Sequence, residues 1–344
     1  MSLLPDRHPN LDFFVLDIAD AVPKDDMASM EHPLFSLATK PDMRHLEYRN
    51  GDNVLKIRPS GLGLPTIFDK DILIFTISQL MARKNRGEPI GDTVRFSARE
   101  LSVATNRPIG GNHYKRLEDA FARLQGAQFV TNIKSGGKIE TRIFSLIDEG
   151  GFVRTDDERF RLDYCEVKLS RWLMRAIETD QVVTITHDYF RLRRPLERRL
   201  YEIARKHCGF RPGKPVKFGL DTIQKKCGSQ STSKEFKRLL KTIVEQDELH
   251  DHFPDYTIRL DDAGEMVTFT PRADKTALPQ STLFPMISEN ALQKARAIAP
   301  GYDVYALKSD YLAFWDDKGR QELKNPDAAF LGWCKKRNER QPLR

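Results

Sequence analysis

Two short stretches of the 344-residue chain carry residue types able to do covalent chemistry. His250-Asp251-His252, with Tyr256 close behind, offers imidazoles for a divalent metal and a phenol that could attack a phosphodiester. Metal-dependent nicking enzymes of rolling-circle replication carry an apolar residue between the paired histidines, on a strand. Here the intervening residue is Asp, in a polar loop beside Pro254, so cleavage is the weakest of the readings. Gly137-Lys138 and Gly213-Lys214 lack both the upstream glycine spacing and the hydroxyl residue of a phosphate-cradling loop. Asp156-Asp157-Glu158 and Asp261-Asp262 read as turn residues. Cys165, Cys208, Cys227 and Cys334 lie far apart without a Cys-x-x-Cys pair, which argues against a zinc ribbon or a disulfide framework. They are expected as buried free thiols. No enzyme activity, metal or cofactor is expected.

The remaining chemistry is electrostatic. The net charge of +7 is modest, but its distribution is not. Residues 1–55 hold 10 acidic and 5 basic side chains, whereas residues 188–244 hold 16 basic and 5 acidic ones. A basic block behind an acidic entry suggests an oriented polyanion-binding surface, with a merely solvated basic face as the alternative that charge alone leaves open. Its sharpest part is a helix expected from Ser233 to about Gln246. At 100° per residue, Phe236, Leu239, Leu240, Ile243 and Val244 share one face, and Lys234, Lys237, Arg238 and Lys241 share the opposite one. The preceding Ser229-Gln230-Ser231-Thr232 supplies small hydrogen-bonding groups for phosphates or bases, with Lys225 and Lys226 just upstream.

The elements that must position this helix recur twice along the chain. In the first series, Asp69 caps a helix to Ala82 and Val94-Arg95-Phe96 is a short strand. Ser97 and Glu100 form a capping box opening a short helix. After a turn over residues 106–111 comes a helix over 112–124, then strands over 129–133 and 140–146 joined by Ser135-Gly136-Gly137-Lys138. In the second series, Pro195–Cys208 is a helix, Val216-Lys217-Phe218 a strand, and residues 221–226 a short helix. The Ser233 helix follows, then a hairpin of residues 256–260 and 266–270. Val94-Arg95-Phe96 and Val216-Lys217-Phe218 stand in the same place in each series. Helix, strand, helix, turn, helix, hairpin is the order of a winged helix, whose second helix-turn-helix member reads the major groove of duplex DNA.

The fold class expected is therefore α+β, two tandem winged-helix domains. Residues 1–55 form an extended acidic arm, 56–170 the first unit, 171–275 the second, 276–288 a linker and 289–344 a small helical tail. In the first unit Tyr114, Leu117, Phe121 and Leu124 are expected inward. Asn112, Lys115, Arg116 and Arg123 are expected outward beside Asp119, with Arg107 in the turn and Lys134 and Lys138 in the wing extending the surface. Arg194 and Arg198 are candidates for phosphate contact, although Glu197 and Glu202 are spaced to pair with this arginine run. Trp315, Phe330 and Trp333 in the tail could stack on unpaired bases but are more simply core. Val182–Thr186 and the first unit are both open as a dimer interface.

Four segments carry a family likeness: Asp12-Phe13-Phe14; Met30-Glu31-His32-Pro33-Leu34-Phe35-Ser36-Leu37; Thr66-Ile67-Phe68-Asp69-Lys70-Asp71-Ile72-Leu73-Ile74; and Glu197-Arg198-Arg199-Leu200-Tyr201-Glu202. Together they resemble the plasmid replication initiator protein A family of proteobacteria over about residues 10–275. The resemblance implies an initiator that binds double-stranded origin repeats (iterons), helps melt adjacent DNA, and recruits the host initiator ATPase and replicative helicase. It also implies autorepression, a homodimer and no catalysis by the initiator itself. Met1-Ser2-Leu3-Leu4-Pro5-Asp6 lacks a basic-then-apolar signal pattern and no apolar run approaches the length of a membrane span, so a cytoplasmic setting without membrane association is expected. A tandem winged-helix transcriptional repressor is the alternative.

Overall fold

Short-range signals set many of the element ends. In this computed structural model residues 3–7, 24–26, 32–50, 53–85, 89–108, 113–132, 141–154, 162–179, 181–209, 214–272, 287, 289–302, 304–317 and 325–342 are described. The chain divides into two compact units, Met1–Gln79 with Asp92–Thr276, and Leu80–Gly91 with Ala277–Arg344.

The larger unit contains two winged helices. In the first, α1 (Lys70–Asn85), which belongs to the larger unit as far as Gln79, is followed by β4 (Thr93–Phe96), α2 (Ala98–Ala104) and α3 (His113–Gly126). The capping box is present: Ser97 Oγ accepts the Glu100 N–H at 3.1 Å and Glu100 accepts the Ser97 N–H at 2.5 Å. In the second, α5 (Pro195–Cys208) leads to β10 (Val216–Gly219), α6 (Leu220–Cys227) and α7 (Ser233–His250), then to the hairpin β11 (Tyr256–Leu260) and β12 (Met266–Pro271). The sheet order is β10-β12-β11.

The first wing differs from expectation. β5 (Gln128–Thr131) and β6 (Arg142–Phe144) do pair, Phe129 opposite Phe144. Yet they extend a different sheet, built on the hairpin β2 (Leu46–Asn50) and β3 (Asn53–Arg58), in the order β2-β3-β5-β6. The partners of β4 are β7 (Ile147–Arg154) and β8 (Leu162–Leu169), in the order β4-β8-β7. The first unit thus repeats the strand order of the second, with a hairpin inserted between its third helix and its wing. The composition Asp148-Glu149-Gly150-Gly151 hid β7, because it reads as a turn. Gly150 is needed there, since a Cβ would lie 3.0 Å from the Phe121 ring.

Parts of the acidic arm are built into both winged helices. β1 (Lys24–Asp26) pairs with β9 (Val182–Thr184), giving that segment a partner from its own chain. Leu4 exchanges hydrogen bonds with Arg191, and Asn106 bonds the backbone of Pro5 and Arg7. Between β8 and β9 lies α4 (Arg171–Glu178), whose Trp172 stacks on Phe144 at 4.7 Å.

The centre of the larger unit is α5. Its ten residues from Leu196 to Arg205 are all buried, charged ones included. Leu200, Tyr201, Ile203 and Ala204 join Ile74 of α1 and Phe236, Leu240 and Ile243 of α7 in one apolar cluster. Two pairs of buried charges cross between the winged helices, and two more bonds, one within each, tie the same groups. Lys70 Nζ lies 3.0 Å from Glu202, and Arg198 Nη1 is 2.6 Å from Asp71. Arg199 pairs with Glu202 at 3.0 Å, and Arg107 with Asp71 at 2.9 Å. Phe35 of the arm presents its ring 5.4 Å from Lys70 Nζ.

The smaller unit contains α8 (Glu289–Ile298), α9 (Val304–Asp317) and α10 (Pro326–Arg340), packed through Leu292, Ala295, Leu307, Tyr311, Phe330 and Cys334. Asn325 caps α10, accepting the Ala328 N–H at 3.0 Å. All four cysteines are buried and free; burial pushes Cys165 and Cys227 up to about 12, and Cys208 and Cys334 up to about 11. Among the described residues no helix is long and apolar enough to cross a membrane.

Asp71→Ala should strip the shared counter-ion from buried Arg198 and from Arg107, at a cost of about 3–5 kcal/mol. Urea denaturation measures this; a loss below about 1 kcal/mol, the worth of a surface pair, would show that the network does not hold the two winged helices together.

Candidate nucleic-acid interface

In the second winged helix, Gly228 ends α6 in the left-handed conformation (φ 67°). A Cβ there would lie 2.6 Å from Pro33 and 3.0 Å from the Tyr48 hydroxyl, so the arm and the helix-turn-helix turn fit only around glycine. The turn is internally bonded: Ser229 and Ser231 hydroxyls are 2.9 Å apart, and Gln224 donates to the Ser231 carbonyl at 2.8 Å. Gln230 reaches back to the Tyr48 hydroxyl at 3.5 Å. The N-cap of α7 is Thr232 rather than Ser233, its hydroxyl accepting the Glu235 N–H at 3.3 Å. Ser233 is the first helical residue, and the helix continues a turn beyond the expected end.

On α7, Lys234, Arg238 and Lys241 are exposed on one face, while Glu245 and Glu248 are exposed beyond them. Cations therefore occupy the N-terminal half, the part of such a helix that reaches base edges. Arg238 is held in a two-pronged bond by Glu235, at 2.8 and 2.6 Å. That bond keeps the Glu235 carboxyl below its usual range. Lys237, expected on the same outward face, is spent on the wing instead, bonding the Ala263 carbonyl at 2.8 Å and Glu265 at 3.0 Å. Lys225 is exposed near the turn; Lys226 is half-buried and its carbonyl accepts from Arg199 at 2.7 Å. Arg259 on β11 adds an exposed cation that the sequence reading had not counted.

In the first winged helix, Lys115 and Arg116 are exposed on α3, and Lys115 pairs with Asp119 at 3.0 Å. Tyr114, expected inward, is 44% exposed. Asn112, Lys134 and Lys138 lie outside the described residues. Two arginines expected outward turn in: Arg123 grips Asp69 at 2.7 and 2.8 Å, and Arg107 grips Asp71.

Arg198 requires a firm correction. Its side chain is 5% exposed, all its directions are taken by Asp71 and by the carbonyls of Phe190 and Leu192, and it cannot reach a phosphate. Arg194 lies 3.7 Å from Glu197 and remains half-buried. The missed signal was the pair Lys70-Asp71 at the head of an otherwise apolar helix, two charges that needed buried partners.

Three of the four residues considered for cleavage are structural, while His250 is exposed at the end of α7. Asp251 is the left-handed C-cap of α7 (φ 46°), and His252 is buried with Nε2 3.2 Å from Glu197. Tyr256 is fully buried, its hydroxyl donating to the Gly209 carbonyl at 3.1 Å, and burial pushes it up to about 12. In the tail Phe330 is fully buried and Trp315 nearly so, while Trp333 is half-buried.

Two helix-turn-helix elements, each followed by a three-stranded wing sheet of the same order, define a tandem winged-helix protein. The model of the Replication initiator protein A family matches residues 24–258, and the chain belongs to that family. A provisionally named replication protein of Wigglesworthia glossinidia brevipalpis is 35% identical over 264 residues, covering 76% of this chain and 94% of its own length. The plasmid replication initiator protein TrfA of Escherichia coli is 25% identical over 230 residues, 61% of this chain; the match spans 58% of TrfA. Among solved structures, domains 2 and 3 of RctB share the fold, with a TM-score of 0.50 at 10% identity over 69% of this chain and 94% of theirs.

If α7 leads recognition, Arg238→Ala should cost about 1–3 kcal/mol on the specific site and relax preference at one base position. Lys241→Ala should weaken all sequences alike and lower the salt slope by about one. Changes at Lys115 and Arg116 should cost less, because Asp119 already neutralises part of that face; abolished binding there, with a silent Arg238→Ala, would reverse the ranking in a gel-shift titration. Supercoiled DNA incubated with the protein and a divalent metal should stay closed, and a covalent Tyr256–DNA adduct would contradict the buried geometry.

Proposed function

We propose that this chain is a plasmid replication initiator that binds repeated double-stranded sites at its origin and acts without catalysis of its own. The observation that carries the reading is the cation-bearing N-terminal half of α7, set in the turn-helix position of a winged helix in a member of the initiator family. Lys234, Arg238 and Lys241 enter the major groove, Lys225 and the Ser229–Thr232 turn meet the flanking backbone, and the first unit adds Lys115 and Arg116. Binding to repeats bends and opens adjacent DNA, and the host initiator ATPase and replicative helicase load on the exposed strands. Binding at its own promoter would make the protein an autorepressor. It works in the cytoplasm, where these partners are, and a second copy of the chain is a further partner.

If six to ten phosphates are neutralised, log K should fall against log salt with a slope of about −5 to −9. Footprinting on DNA flanking the gene should show a ladder of equally spaced protections, and the gene should sustain a replicon lacking its own initiator. A slope near zero, or preference for single strands over every duplex, would overturn the reading.

A further inference from the structure

The described surface of the larger unit contains a concave site lined by several cations. A cleft of about 540 Å³ opens where the arm, the first helix-turn-helix and the segment leading into α5 meet. That volume is within the range of about 300–1,000 Å³ typical of small-molecule sites. Its floor is made of charges already balanced against each other: Arg123 on Asp69, and Arg107 and Arg198 on Asp71. These are the only carboxylates among the described lining residues, and three guanidinium groups share them.

The rim is a different matter. Arg7 and Lys40 from the arm, Arg116 from α3 and Arg193 from the approach to α5 line the cleft, and all four are exposed. None of the four has an ion-pair partner among the described residues. Four cations converging on one concavity, over a floor with no spare negative charge, set a strongly positive potential that low-dielectric walls focus inward. Leu4, Pro41, Leu64 and Phe68 give the same cleft an apolar wall. An anion with several adjacent charges and a flat apolar part satisfies both features.

We propose that this cleft binds a nucleoside polyphosphate, with its phosphates among Arg7, Lys40, Arg116 and Arg193 and its base against the apolar wall. Arginine suits this task because its fork bonds two phosphate oxygens at once. The rim cations come from three separate parts of the chain, so the ligand ties the arm to both winged helices and favours the arrangement in which they are apposed. A protein that binds both DNA and such a ligand would have its conformation biased by the nucleotide pool.

The test uses the full chain without DNA, titrated calorimetrically with ATP and, separately, with inorganic pyrophosphate at physiological ionic strength. One site per chain is expected for each, ATP tighter by the contribution of its base, with a rise in Tm. The double variant Arg7→Ala/Lys40→Ala, whose residues lie on the arm and off the surface assigned to duplex DNA, should bind both at least about tenfold more weakly. A melting curve like that of the parent in the absence of ligand shows that the fold is kept. Its affinity for a duplex should stay within about twofold, which separates a nucleotide site from a groove for the DNA backbone. The proposal is overturned if neither ligand binds, if the double variant binds them as the parent does, or if it loses duplex affinity in step with ATP.

Discussion

A set of charges removed from water holds this fold in register. Lys70, Asp71, Arg198, Arg199 and Glu202 are almost fully buried, and each finds its counter-ion within hydrogen-bond distance. Desolvating such ions costs several kcal/mol each, so ion pairs of this kind add little net stability over a well-packed apolar core. Their effect is on geometry. Asp71 lies in the first turn of α1 in the first winged helix and Arg198 in the first helix of the second, so only one apposition of the two winged helices satisfies both. A small rotation would leave ions buried without partners, which costs far more than a loosened apolar contact. The spacing of α3 and α7 follows from that constraint.

The same cluster explains the family likeness seen in the sequence. Phe35, Lys70-Asp71 and Arg198-Arg199-Glu202 belong to three of the four segments that carry it, and the fold brings them to one place. What looked like a signature of function is, at these positions, the seam of the molecule.

Much of the architecture was legible because it rests on local chemistry. Ser97 with Glu100, Pro195 opening α5, and the paired series around Val94 and Val216 each announce an element through short-range signals. The side-chain assignments failed where direction depends on tertiary packing. A helix with arginines on several faces reads as a solvated one, but α5 is enclosed all round, so Arg198, Arg199 and Arg205 had to find partners inside. Arg107 and Arg123 turned inward for the same reason, since Asp69 and Asp71 head a buried helix and need cations. On α7 the reading needed less correction, because its apolar stripe covers one face only and most of its cations reach solvent. Tyr114 and β7 were misread because burial and strand pairing there depend on segments far away in sequence.

The pairing of β1 with β9 has a consequence for how the chain is made. Lys24 lies opposite Thr184, so the early strand finds no partner until that distant residue has been synthesised. At about 5–20 residues per second, that interval is about 10–30 s on the ribosome. Lys70 and Asp71 are made later and wait through a somewhat shorter stretch, but their partners Glu202 and Arg198 come later still than Thr184. Throughout that time the first winged helix exists with its future buried charges still wet and its neighbouring strand unmatched. The two halves of the seam are thus completed only when the second winged helix emerges, and the larger unit closes in one late step.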